Sequence, residues 1–458
     1  MTLLTDQWTC AINELGYEDF GVKLRDLILE SQTPLSITIG GRWGAGKTSM
    51  LRAVMASLGG LSDLPKTDTV HPGDLPSSLN PEDEDIKDKL RNVWPIWFNP
   101  WQYQHEAQPI IPLLHEIREQ IRWHATLKEQ VKEITIDSFD TVIRNLGKLT
   151  DTMVNLLRGK KVCDLGDSIM NTLDQADKDR TEKTFRNPID AQRFFSEFEK
   201  AVSQVTGKDG RLVIFIDDLD RCSDLLVFKL LEQIKLFLST RHCIFVFGLD
   251  RTHVENAIAR AANYNMDEAR QYVDKLFQAR FQIPLPRPDA LKEFIKKQLK
   301  ALELPDHYAD KFSQFVPDNP RMIKNILNGL PLYLSFLPKS KRRTRKALLV
   351  YLFRTFYPDG YELLLHDPEN TLLHILTCFS GNAIDLHDGL SNYLHFITEN
   401  PTKFSPEKET DDTPGKLMDE ARFHKVRAGA WQAEALNNFQ EAFSEAFPSI
   451  DKLKGYLV

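Results

Sequence analysis

Little in this 458-residue chain points to a secreted, membrane-spanning or disulfide-stapled protein. The five cysteines, Cys10, Cys163, Cys222, Cys243 and Cys378, are odd in number, scattered and never spaced C-x-x-C. That excludes a disulfide framework and a cysteine-based zinc site, and the thiols are read as reduced ones in a cytoplasmic protein. No run approaches the roughly 18 apolar residues of a membrane span. The opening MTLLTDQWTC has no basic segment followed by an apolar one, so no secretory signal is expected. Positive charge is not in excess either: 58 Lys and Arg stand against 65 Asp and Glu, a formal net charge of -7. A dedicated duplex binder needs a concentrated basic face, and this balance argues against one. No internal repeat and no N-K-x-D guanine motif occurs.

What is present is ordinary globular material, 42% hydrophobic and 27% charged, in a chain long enough for two or three packed units. The segment 18–31 has helical spacing and TPLSITIG alternates as a strand, after which a glycine-rich turn leads into a helical pattern over 48–58. Residues 59–92, with their prolines and the acidic run Glu82 to Asp85, read as an exposed insertion. WPIWFNPWQYQ follows, and Pro95 makes Val93 to Phe98 a core strand at its start or at a sheet edge. Trp101 and Tyr103 are expected to pack the loop after it beside the site at the strand ends. From Ile110 to about Leu157 apolar residues recur at helical intervals, and SFDTVIRNLGKLTDTMVNLL forms one amphipathic face. Asp174 to Asn187 reads as a loop and AQRFFSEFEKAVSQV as a helix. RLVIFIDDLD and HCIFVFGLD are short apolar runs separated by the helical LLVFKLLEQIKLFL, the pattern of strands buried on both faces of a parallel sheet. Beyond FQIPLPRP the chain turns helical.

Residues 41–48, GRWGAGKT, fit G-x-x-x-x-G-K-[ST] with a strand before and a helix after. Glycines let successive backbone N–H groups face phosphate oxygens at a helix N-terminus. Gly41, Arg42, Trp43, Gly44, Ala45, Gly46, Lys47, Thr48 and Ser49 are the nucleotide-binding candidates. Lys47 bridges phosphates, Thr48 ligates Mg²⁺ through its hydroxyl, and Trp43 is expected to pack. A phosphate loop needs a carboxylate-bearing strand as well. Asp217 is the candidate metal or metal-water ligand, Asp218 the group that orients water, and Asp220 a further acid or a helix cap. Asp250, ending HCIFVFGLD, either offers a polar group to the γ-phosphate or makes a surface ion pair. Arg221, Arg251 and Arg280 are candidate charge-stabilising fingers. Residues 15–20 either line a base pocket or, for Tyr17 and Phe20, pack.

In this order GRWGAGKTS, WFNPWQYQ, VIFIDDLDRC, FVFGLDR, YVDKLFQARFQIPLP and NPRMIKNILN resemble the signature set of the KAP P-loop NTPases, over about residues 15–330. The resemblance implies an AAA+-related α/β fold: a P-loop NTPase parallel sheet with helical insertions, a helical lid and a C-terminal helical domain. An NTPase core is expected at 1–285, with insertions about 59–92 and 105–190, then a lid at 286–338 and, from the helical stretches beyond the resemblance, an accessory domain at 339–458. It implies ATP with Mg²⁺, a sensor role for Asp250, and a lid arginine, Arg321, that reaches the nucleotide. Many relatives carry transmembrane helices between the phosphate loop and the acidic strand. This chain has only amphipathic segments there, so it resembles a soluble branch.

The expected function is Mg²⁺-dependent ATP binding and hydrolysis driving a conformational or assembly switch, with a homo-oligomer or partner protein. Bacterial defence against phage is an extension by analogy. The rival expectations are a nucleic-acid-stimulated motor and a non-hydrolysing nucleotide-bound scaffold. KSKRRTRK, residues 339–346, is either a solvated basic patch or a surface for an anionic partner, nucleic acid included.

Overall fold

The computed structural model describes residues 3–4, 7–59, 75–80, 84–106, 109–128, 188–235, 237–316, 318–369, 371–372, 375–376 and 433–458. The amphipathic stretch ending near Leu157, the loop at 174–187, and Cys163 and Cys378 lie outside them. The chain divides into two compact units, Trp8–Pro284 and Met1–Gln7 with Leu285–Val458.

The first unit is built on a parallel sheet of five strands, β1 (Leu35–Gly40), β2 (Val93–Phe98), β3 (Arg211–Ile216), β4 (Cys243–Leu249) and β5 (Ala279–Gln282). Their order is β2-β3-β4-β1-β5, with every neighbouring pair parallel. Alternate residues feed two cores. Ile96, Phe98, Ile214, Ile216, Phe245 and Phe247 face one side, covered by α4 (Ile110–Lys128), α5 (Pro188–Thr206), α6 (Asp224–Lys235), α7 (Arg251–Ala262) and α8 (Met266–Leu276). Ile37, Ile39, Val213, Phe215, Ile244 and Val246 face the other, covered by α1 (Glu18–Glu30) and α2 (Lys47–Ser57). Burial on both faces explains the near-continuous apolar runs of β3 and β4. A further helix, α3 (Glu84–Leu90), precedes β2. Within 59–92, Leu79 is fully buried against α1 rather than exposed, because Gly21 leaves room for its methyl groups.

β2 lies at the sheet edge, where Pro95 costs no ladder hydrogen bond. The free side of that edge is closed by α4. Gln120 accepts from the Trp97 N–H at 2.7 Å and donates to the Trp97 carbonyl at 2.7 Å, and His124 Nε2 lies 2.9 Å from the Pro95 carbonyl. β5 is an additional strand within the stretch that reads from sequence as a proline-rich boundary. It pairs with β1 and is only half-buried in alternation.

The second unit is helical: α9 (Pro288–Ala301), α10 (Tyr308–Phe315), α11 (Pro320–Phe336), α12 (Arg345–Phe356), α13 (Pro358–His366), α14 (Ala433–Ala446) and α15 (Ile450–Leu453). An aromatic cluster joins α12 to α14, with Phe353 and Phe443 stacked at 4.8 Å. The basic stretch 339–346 is partly absorbed into this fold. Arg342 closes the end of α11 by donating to the carbonyls of Leu337 at 2.7 Å and Ser335 at 2.8 Å. Lys341 lies over Tyr456 and Lys346 over Phe447. No helix among the described residues is long and apolar enough to cross a membrane.

Candidate functional site

β1 runs between β4 and β5, and the chain leaves it toward β2 at the far edge. Such a switch in direction opens a crevice at the strand C-termini, where open α/β sheets take ligands. The loop 41–46 turns there into α2. Gly44 (φ 82°) and Gly46 (φ 94°) adopt left-handed backbone that an L side chain would strain. Beneath the loop, Tyr17 is buried with its hydroxyl 3.5 Å from the Ala45 carbonyl, so it packs and supports the turn.

The Lys47 ammonium, nearly buried, donates to the carbonyls of Gly41 at 2.9 Å and Arg42 at 3.5 Å and stands 3.7 Å from Asp220. Asp220 is therefore an ion-pair partner of Lys47 and not a helix cap. Thr48 Oγ1 donates to Asp217 Oδ2 at 2.5 Å. Asp217 is fully buried, and this burial, together with neighbouring Asp218, pushes its carboxyl up to about 6 against the pull of Thr48 and Lys47. Ser49 turns the other way and accepts from the Thr9 N–H at 3.2 Å. Farther along α2, Arg52 is buried with its guanidinium 3.7 Å from the Trp97 ring centroid and 4.9 Å from that of Trp8.

Asp218 has left-handed backbone (φ 59°), an unfavourable setting for a residue other than glycine that neighbouring contacts must hold. Asn99, at the end of β2, donates from Nδ2 to Asp218 Oδ2 at 2.9 Å, while its Oδ1 accepts from the Trp101 N–H at 3.0 Å. Arg221 Nε meets Asp218 Oδ1 at 2.7 Å. Sequence reasoning missed Asn99. Its only signal was its place at the C-terminal end of a predicted strand. Cys222, just beyond, is buried among these acids, which raises its thiol to about 12 and leaves it protonated.

The other candidates are placed differently. Trp43 is 65% exposed and so is not part of either core. Asp250 ends β4, the strand beside β1, and its carboxylate caps α7 by accepting from the Thr252 N–H at 3.0 Å and the His253 N–H at 3.4 Å. Arg251 and Arg280 both pair with Asp274 at 2.7 Å. Arg321 belongs to the helical unit, on the first turn of α11, which Asn319 caps. Tyr103 stacks on Phe98 at 5.7 Å and donates to Glu116 at 2.6 Å, whereas Trp101 is 44% exposed.

The donor set suits Mg²⁺. Thr48 and Asp217 offer hydroxyl and carboxylate oxygens already in contact, and a hard ion completes such a set with phosphate and water. The left-handed glycines give the loop a backbone able to wrap a polyphosphate.

A model of the KAP family P-loop domain matches residues 17–373. No curated protein matches the chain. Among solved structures it is similar to a Walker-type ATPase of Pyrococcus abyssi at 12% identity, covering 96% of this chain and 99% of that one with a TM-score of 0.38, a likeness too loose to argue from. The family match takes in the glycine loop, the acidic end of β3 and the first turn of α11, and the chain belongs to the KAP family of P-loop NTPases.

Proposed function

We propose that this chain binds ATP with Mg²⁺ and hydrolyses it, and that turnover drives a conformational or assembly switch rather than the conversion of a metabolite. One observation carries the reading. Asp218 is held by Asn99 and Arg221 directly after Asp217, which is hydrogen-bonded to Thr48 of α2, an arrangement that supports a water-orienting carboxylate next to a metal-binding pair.

In this reading Lys47 exchanges the carbonyls of Gly41 and Arg42 for phosphate oxygens. Thr48 and Asp217 would hold Mg²⁺, which would supply charge neutralisation to the phosphates. Asp218 orients the water that attacks the γ-phosphorus in line and accepts its hydrogen bond as the bond to the leaving oxygen breaks. Asp250 stands on the neighbouring strand as a sensor of the γ-phosphate, and Arg321 of the helical unit is the arginine that contacts nucleotide. A role in bacterial defence against phage extends this reading by family analogy.

The test is Mg²⁺-dependent phosphate release with and without DNA or RNA, alongside solution mass with and without ATP. Asp218→Asn is the informative variant, because asparagine tolerates left-handed backbone and keeps the shape of the site. It is expected to retain ATP and lose about 10²-fold or more in turnover. Normal turnover in that variant would remove Asp218 from the chemistry. Strong stimulation by nucleic acid would favour a motor, and tight ATP retention without phosphate release a scaffold.

A further inference from the structure

Around Asp218 four side chains from the ends of β2 and β3 form a closed circuit. Asn99 Oδ1 accepts from the Trp101 N–H, Asn99 Nδ2 donates to one Asp218 oxygen, Arg221 binds the other, and the Arg221 guanidinium lies 5.7 Å from the centroid of the Trp101 ring. Neither Trp101 nor Arg221 has a place in the core: both residues are exposed. A tryptophan left exposed on the short 3-10 turn Pro100–Tyr103 forgoes its hydrophobic gain, and the interaction it keeps here is with a cation.

We propose that Trp101 and Arg221 are positioning residues for Asp218: the Trp101 ring holds the Arg221 guanidinium, and Arg221 with Asn99 fixes the plane of the Asp218 carboxylate. The inference rests on the hydrolytic reading above. Two constraints make the circuit effective. The Asp218 backbone is in a conformation that neighbouring contacts must maintain, and its two oxygens are bound by different segments, Asn99 after β2 and Arg221 on the turn after β3, so the carboxylate cannot rotate without breaking a charge-assisted hydrogen bond. Arg221 is three residues from Asp218 on a single 3-10 turn and would otherwise swing into solvent. The ring removes that freedom. A carboxylate with a fixed plane presents its remaining lone pairs to water in one direction, which is what in-line attack requires.

The experiment measures kcat and ATP affinity for the wild type, Trp101→Ala, Trp101→Phe, Arg221→Gln and the Trp101→Ala/Arg221→Gln double variant. Trp101→Ala is expected to lower kcat about fivefold, the scale of one exposed cation–π contact, with ATP affinity unchanged. Trp101→Phe recovers most of that loss. Arg221→Gln is expected to lower kcat about tenfold, the scale of a hydrogen bond to a charged group. The double variant then loses no more than Arg221→Gln alone, because the ring acts only through the arginine. Should Trp101→Ala melt early, Trp101→Leu keeps the bulk without the aromatic face and takes its place. Wild-type kcat in Trp101→Ala, losses that multiply in the double variant, or losses confined to ATP affinity would overturn the proposal and leave hydrolysis standing. A wild type that retains ATP without releasing phosphate would overturn both.

Discussion

Thr48 and Asp217, 169 residues apart in sequence, share a 2.5 Å hydrogen bond at the C-terminal ends of two strands that are not neighbours in the sheet. The bond draws a fully buried carboxylate to the first turn of the helix that follows the glycine loop. Burying that carboxylate has an electrostatic cost, visible in the raised pKa of Asp217, which the bond from Thr48 offsets only in part.

That cost sets a pH dependence. The Asp217 carboxyl sits near 6 in the folded chain against 3.8 unfolded, so its contribution to stability is fully present below about 3.8 and is lost as pH rises through 6. Asp217→Asn removes the buried charge. It is expected to raise nucleotide-free stability at pH 8 by on the order of 3 kcal/mol, with the advantage fading as pH falls from 6 toward 4, while Mg²⁺-dependent turnover disappears. Thermal melts of both proteins across this range check it, and equal shifts at pH 8 and pH 4 would refute it.

Lys47→Ala removes phosphate binding, and it also leaves the poorly exposed Asp220 without the ammonium that stands 3.7 Å away. Nucleotide-free stability is expected to fall by about 1–3 kcal/mol. Adding Asp220→Asn should recover part of the loss without restoring ATP binding, which urea denaturation and nucleotide titration measure separately.

Gly248, in β4 between the two strands of the site, has no room for a side chain. A Cβ there would approach Asp217 Oδ1 to 2.7 Å and Leu51 Cδ1 to 2.5 Å. Gly248→Ala is expected to cost about 1–3 kcal/mol by overpacking. It should also raise the Mg²⁺ concentration needed for half-maximal turnover, because the carboxylate must move aside. An unchanged Mg²⁺ requirement would show that Asp217 is not the ion's ligand.

Gln120 serves the fold and not the chemistry. Gln120→Leu leaves a buried N–H and a buried carbonyl of Trp97 without their partner and is expected to cost about 2–4 kcal/mol. ATP affinity of the remaining folded protein should not change, a contrast that denaturation and binding measurements read directly.

The features legible in sequence were the ones encoded locally. Strand, glycine loop and helix follow one another within residues 35–57, so GRWGAGKT announced its own geometry. Pro95 restricted β2 to a strand start or a sheet edge because its missing N–H is a property of one residue. β5 was illegible for the opposite reason. ARFQ is four residues long, half-exposed in alternation and followed by prolines, and it becomes a strand only by pairing with β1. The partnership of Asn99 with Asp218 spans 119 residues, and that of Lys47 with Asp220 joins the ends of two strands separated by β4. No window of periodicity contains such pairs.

The sheet order has a consequence for how this chain acquires its competence. β2 supplies Asn99, β3 the three aspartates, β1 the phosphate loop, and β4 the gap at Gly248 across which they meet. No two-strand fragment holds the constellation. Contacts this distant along the chain form late in folding, after loop closure has been offset by core burial, so affinity for nucleotide marks a completely assembled sheet. A ligand that binds only that state in turn stabilises it by mass action, and a nucleotide would then act on this domain as a staple across four strands.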